Sequence, residues 1–139
     1  MGDILKETMD AAKKLQEKKD YDAKVGEYVF RVLNNKLHNM KVGKWTSGLE
    51  DMMGTLAWEH PNWKEQEVAL WATPYFENDK GIAVQLTVMD DRGFQKNIWD
   101  TIIPMKLTFD LKKDMATYKK AMGPIIRKAE QILKSKKLM

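Results

Sequence analysis

The chain has no cysteine, two histidines and two serines among 139 residues. Without thiols it forms no disulfide, no thiolate metal site and no cysteine nucleophile, which favours a cytoplasmic setting over a secreted one. No uncharged stretch approaches the roughly 18 residues that a membrane-spanning helix needs, and no basic leader precedes an apolar run. Myristoylation fails its motif, because Lys6 stands where Ser or Thr is required. The expectation is a soluble chain folded as a single domain over 1–139, too short for two ordinary domains but long enough to bury a core.

Catalytic and cofactor signatures are equally scarce. The nearest approach to a phosphate-binding loop, Gly43-Lys44-Trp45-Thr46-Ser47-Gly48, continues with Leu49 and Glu50 where the phosphate lysine and hydroxyl belong. No Gly-x-Gly-x-x-Gly occurs, so a dinucleotide cofactor is not expected. His38 and His60 have no ligand-spaced partner, the first belonging with a helix C-terminus and the second with a loop. Ser47 reads as a helix cap and Ser135 lies in a Lys-rich terminus, neither in a nucleophile elbow. Glu50-Asp51 and Asp90-Asp91 are adjacent in sequence, which does not make side chains converge; a hydrolytic or metal site would need Asp79, Asp90, Asp100 and Asp110 to meet in one pocket. The expectation is no enzyme, no metal and no cofactor.

Charge is what the chain has in quantity, and it is unevenly spread. Residues 1–46 carry 10 basic against 7 acidic groups, residues 47–110 carry 5 against 11, and residues 111–139 carry 9 against 2, leaving +4 in total. A basic end of this strength attracts nucleic acid, an anionic membrane or an acidic protein surface, or lies against the chain's own acidic middle.

Periodicity predicts an α+β fold in three stretches: a helical part over 1–60, a sheet over 67–110 and a basic helix over 111–137. Asp3 caps a first amphipathic helix carrying Ile4, Leu5, Met9, Ala12 and Leu15 to about residue 18. Asp20 and Asp22 cap a second, with Val25, Val29, Val32, Leu33, Leu37 and Met40 in one stripe ending near Gly43. Ser47 with Glu50 forms a capping box for a short third helix through Leu49, Met52, Met53, Leu56 and Ala57, Gly54 notwithstanding, that stops before His60-Pro61. From residue 67 the period changes to two. Four strands fit 67–76, 82–90, 94–103 and 105–109, the first three an antiparallel meander joined by Asn78-Asp79-Lys80-Gly81 and Asp90-Asp91-Arg92-Gly93. Pro74 makes part of the first an edge, and Pro104 marks a corner. Asp110 caps the last helix, kinked or broken at Gly123-Pro124.

If Val84, Leu86 and Val88 face the core, the same alternation turns Val68, Leu70, Ile98, Ile102, Met105, Leu107 and Phe109 inward. The opposite face then carries Trp71, Thr73, Tyr75, Gln85, Thr87, Gln95, Asn97, Trp99, Lys106 and Thr108. Aromatics among amides and hydroxyls suit a protein partner or stacked bases, unless the N-terminal helices cover that face and make it a second core layer. The candidate partner-binding face is Trp71, Tyr75, Gln85, Thr87, Asn97, Trp99 and Lys106; the candidate basic helix face is Lys112, Lys113, Lys119, Lys120, Arg127 and Lys128. The reading that follows is a small non-enzymatic adaptor, inhibitor or accessory subunit with a protein partner, since five Trp and ten Met supply interface-type side chains. Nucleic-acid binding through the aromatic sheet face and basic helix is the alternative. Self-association, acidic sheet region against basic helix, is a further possibility.

Overall fold

In the computed structural model, which describes residues 2–50, 55–61, 68–75, 81–89 and 92–138, the first 36 described residues form one helical run. It comprises α1 (Gly2–Glu27), a π-helical segment (Tyr28–Leu33) and α2 (Asn34–Leu37). Six strands follow, β1 (Lys41–Val42), β2 (Trp45–Glu50), β3 (Thr55–Glu59), β4 (Ala69–Tyr75), β5 (Gly81–Met89) and β6 (Gln95–Ile103), and then α3 (Leu111–Ser135). The α+β class is as expected, with six strands rather than four and fewer, longer helices.

The expected boundary between two N-terminal helices does not exist. Asp20 and Asp22 lie inside α1, exposed; a solvent-facing Asp costs a helix interior only about 0.5 kcal/mol, and nothing between Leu15 and Val25 breaks the ladder. The π segment has its own cause. Val25, Val29, Leu33 and Leu37 are all buried at a strict spacing of four, which on an α-helix drifts round the axis by about 40° per step. The wider π turn removes that drift and keeps the stripe on the core.

The expected third helix is also absent, since Ser47 and Glu50 belong to β2 and Leu56 and Ala57 to β3. Met52, Met53 and Gly54 lie outside the described residues. Here two periods competed: Leu49 and Leu56 fit a helical stripe, but Trp45, Ser47, Leu56 and Trp58 alternate with their neighbours and all four are buried. Ser47 still serves the helix, at its other end. Its hydroxyl donates to Leu37 O, which also accepts from the Met40 N–H, and itself accepts from that N–H at 3.0 Å, adding a partner at the helix end.

The strands form one antiparallel meander in the order β1-β2-β3-β4-β5-β6. β4 is therefore an interior strand. It pairs with β5 from Ala69 to Tyr75, Pro74 standing opposite Ile82, and with β3 through Ala57↔Trp71 and Trp58↔Leu70. Of the two turns, Gly81 (φ +116°) and Gly93 (φ +82°) take the left-handed conformations expected of them; Asn78, Asp79, Lys80, Asp90 and Asp91 lie outside the described residues.

A bulge decides which way β6 faces. Leu86 pairs with Trp99, but Thr87 pairs with Asn97. This one-residue slip reverses the alternation beyond it. Trp99 and Ile103 consequently pack on the core and Ile102 is exposed, the reverse of the expectation for Trp99 and Ile102; Ile98, at the bulge, stays partly packed on the core. Val68, Leu70, Val84, Leu86 and Met105 are buried as expected. No fourth strand forms over 105–109. After Ile103 the chain leaves the sheet in irregular conformation, and Phe109 adopts φ +60°.

The residues from Val25 to Leu37 and the buried side of α3, Tyr118, Met122, Ile125, Ile126, Ala129 and Leu133, close on the same face of the sheet. The side chain of Asp110 caps α3 by accepting from the Lys113 N–H at 3.2 Å. α3 is one continuous helix through Gly123-Pro124 rather than two: Pro124 is exposed while Met122, Ile125 and Ile126 anchor the turns on either side.

Gly81 is the tightest point of this arrangement. A Cβ there would stand 2.2 Å from Ile103 O and 2.5 Å from Met105 N, whereas one at Gly93 would meet nothing within 4 Å. Both carry positive φ, so the pair separates strain from crowding. Gly93→Ala is expected to cost about 1 kcal/mol and Gly81→Ala at least about 2 kcal/mol more, read by urea unfolding. Equal losses would show that the strand end can move aside.

Candidate interaction surface

Among the described residues no helix packs on the other face of the sheet. On it, the Trp71 indole of β4 donates from Nε1 to Thr87 Oγ1 of β5 at 3.2 Å, which holds the ring along the surface. Gln85 is the strand partner of Trp71, and Asp100 that of Gln85. Asn97 donates to Asp100 Oδ2 at 3.1 Å. Beside them Ala83, Gln85, Asp100 and Ile102 border a shallow depression between β5 and β6. Among the described residues β6 has no strand neighbour along its outer edge, so the alternate backbone groups that face that side are available to pairing.

Of the seven residues proposed from sequence as a partner face, Trp71, Gln85, Thr87 and Asn97 are thus brought together. Tyr75 shares their strand parity at its pairing with Gly81. Trp99 is on the opposite, core-packed face, and Lys106 is exposed in the irregular segment after β6. Lys112, Lys113, Lys119, Lys120, Arg127 and Lys128 are all exposed on α3. Asp100 and Asp110 are apart in role, one on the outer sheet face and one a helix cap; Asp79 and Asp90 lie outside the described residues. Among the described residues no group of three or more His, Asp or Glu side chains is arranged to hold a metal ion.

No protein family, curated protein or solved structure matches this chain. Its surfaces are interpreted through their own chemistry.

The side chain that sequence patterns missed altogether is Asp114. It is completely buried and accepts three hydrogen bonds: from the Tyr28 hydroxyl at 2.6 Å, the Thr108 N–H at 3.0 Å and Thr108 Oγ1 at 2.8 Å. Burial, then the bond to Asp114, pushes the Tyr28 phenol above its ordinary range. Nearby, Phe109 lies between the rings of Tyr21 and Tyr28, with Lys24 Nζ 4.4 Å from its centroid. The available signal was an acidic residue amid the apolar spacing of Leu111, Met115 and Tyr118. A second phenol, Tyr118, donates to Ala72 O at 2.6 Å and accepts from Trp58 Nε1 at 3.1 Å; burial raises its pKa as well.

The two histidines are structural in placement. His38 is the C-cap residue of α2, at the helix end where it was expected, its N–H donating to Asn34 O at 3.0 Å, and its Nδ1 accepts from the Leu49 N–H at 3.1 Å, linking the end of the helical run to β2. His60 follows β3, its ring 5.3 Å from that of Trp45, whose Nε1 donates to Glu130 Oε1 at 2.7 Å.

Two predictions follow from these contacts. Asp114→Ala strands three donors and should cost about 3 kcal/mol, with Tyr28→Phe costing about 1 kcal/mol; a loss below 1 kcal/mol for Asp114→Ala would show that water replaces the carboxylate. For His60, burial holds the imidazole below its usual pKa, with Lys44 and Lys134 adding to the effect and Glu130 opposing it. The unfolded chain therefore binds the proton first, so stability present above about pH 6.5 is lost as pH falls from that value down through the lower folded pKa. Unfolding curves between pH 7.5 and 5 should show a shallower decline in His60→Gln than in the parent.

Proposed function

We propose that this protein is a non-enzymatic adaptor, inhibitor or accessory subunit that docks a protein partner on the outer face of its sheet. The observation that supports this is one-sided packing. α3 and the end of the N-terminal helical run share one face; on the other, exposed Gln85, Asn97 and Ile102 and half-buried Trp71, held by buried Thr87, form a surface of aromatic, amide and aliphatic groups beside the β6 edge. Such a surface matches the composition of protein interfaces, where an anchored aromatic ring supplies area and surrounding amides and hydroxyls supply hydrogen bonds. The edge of β6 adds main-chain donors and acceptors for an extended segment. The acidic 47–110 region and basic α3 give the molecule two electrostatic poles for orienting an encounter.

Nucleic-acid binding is less well supported. A base-stacking platform needs neighbouring aromatics over a cationic track, whereas Trp99 packs on the other face from Trp71 and the 47–110 segment carries net −6. The exposed lysines of α3 are the part of that reading that persists.

The test is affinity capture from nuclease-treated lysate with the parent chain, Trp71→Ala and Ile102→Lys. Both substitutions lie outside the core, so melting should shift by no more than about 1 kcal/mol equivalent. A stoichiometric partner retained by the parent and weakened at least about tenfold by either variant is the expected result. Equal capture by all three, or capture that disappears with nuclease, would refute docking on this face.

A further inference from the structure

Every residue from 3 to 24 is exposed, although α1 is helical throughout. Tyr21 and Lys24 rest on Phe109, and from Val25 the helix enters the core. The preceding turns project with Ile4, Leu5, Met9 and Leu15 between 63% and 69% exposed. At 100° per residue these four, with Thr8, Ala11 and Ala12, fall within about half the circumference, and Lys6, Glu7, Asp10, Lys13, Lys14 and Glu17 occupy the other half. A helix held only by its own hydrogen bonds is marginal at this length in water, and in proteins it is packing of the apolar side that sustains it. Among the described residues nothing is packed on this side.

We infer that residues 3–18 of α1 pair antiparallel with the same segment of a second copy of this chain. The charges select this occupant and this orientation. Residues 2–10 carry Asp3, Glu7 and Asp10 against Lys6, whereas residues 11–19 carry Lys13, Lys14, Lys18 and Lys19 against Glu17. One antiparallel register sets Glu7 level with Lys14 of the second copy and Asp3 level with its Lys18, each pair occurring twice by symmetry. Those four residues border the same side of the apolar arc, the side that meets itself when two helices run oppositely. The same register brings Ile4 and Leu5 against Leu15, and Met9 against Ala11 and Ala12, so large side chains meet large or small ones without leaving gaps. A parallel pair would instead set acidic residues level with acidic and lysines level with lysines. An anionic membrane is the poorer occupant, because Asp3, Glu7, Asp10 and Glu17 lie among the lysines of the polar side.

This inference is independent of the outer sheet face. Sedimentation equilibrium of the whole chain from about 1 to about 100 μM should show the mass rising from 16.2 kDa toward twice that value. Leu5→Glu with Leu15→Glu should hold it at 16.2 kDa with unchanged melting of the body, both positions being exposed in the single chain. Orientation is read by single cysteines in a chain that has none. Ala11 is half a residue from the symmetry point, so Ala11→Cys should form a disulfide dimer under mild oxidation. Two Ile4 positions are about 20 Å apart along the axis, so Ile4→Cys should not. Glu7→Lys and Lys14→Glu should each weaken association, and the double reversal should restore it. A monomer throughout the concentration range, a dimer insensitive to the Leu5 and Leu15 changes, or cross-linking through Ile4→Cys in place of Ala11→Cys would each overturn the proposal. So would a monomer that sediments with anionic phospholipid vesicles and loses that binding with Leu5→Glu.

Discussion

Taking a carboxylate out of water costs several kcal/mol unless donors surround it, and the Asp114 carboxylate finds its three donors on two segments outside its own helix. Tyr28 comes from the π turn of the N-terminal run, and Thr108 supplies both its amide and its hydroxyl from the segment that has just left β6. The requirement links three parts of the chain that share no strand pairing. It fixes how far α3 sits along the sheet, and with it which residues of α3 meet Trp58 and Ala72. Phe109 then fills the space between Tyr21 and Tyr28, so the point at which α1 parts from the body is set by the same cluster.

From that arrangement comes the asymmetry of the molecule. Two helical elements crowd one face of a six-stranded meander, and among the described residues no helix packs on the other. The bulge between Leu86 and Thr87 sharpens the contrast, because it turns Trp99 toward the helices and presents Ile102 outward. The charged regions follow the same division, with the strongly basic segment on α3 and the acidic one along the sheet.

Much of this was legible in the sequence where a single period ruled. The alternation through Val84 and Leu86 placed β5, the Asp110 cap placed the start of α3, and the glycines at 81 and 93 placed their turns. Residues 45–59 were not legible, because Leu49 and Leu56 satisfy a helical repeat while the indoles of Trp45 and Trp58 need the two-residue alternation to reach the core. The choice is made by tertiary burial, which a local pattern does not contain. The bulge escaped for a related reason: Gln95 to Ile103 alternates plausibly in either sense, and the slip is visible only against the neighbouring strand. Of the candidate surface, four residues were correctly grouped and Trp99 was lost to that slip. Asp114 had no sequence signature, since its three donors lie at sequence distances of 6 and 86 residues.

The meander has a kinetic corollary. Every strand pairs with its neighbour in sequence, so the sheet assembles through short loop closures, which are fast. The encounter of the chain's two helical parts closes a far longer loop, 86 residues between Tyr28 and Asp114. During synthesis, the half of the core that α3 covers stays wet until residues 111–135 have emerged. For that interval the nascent chain carries an apolar sheet of the kind chaperones bind.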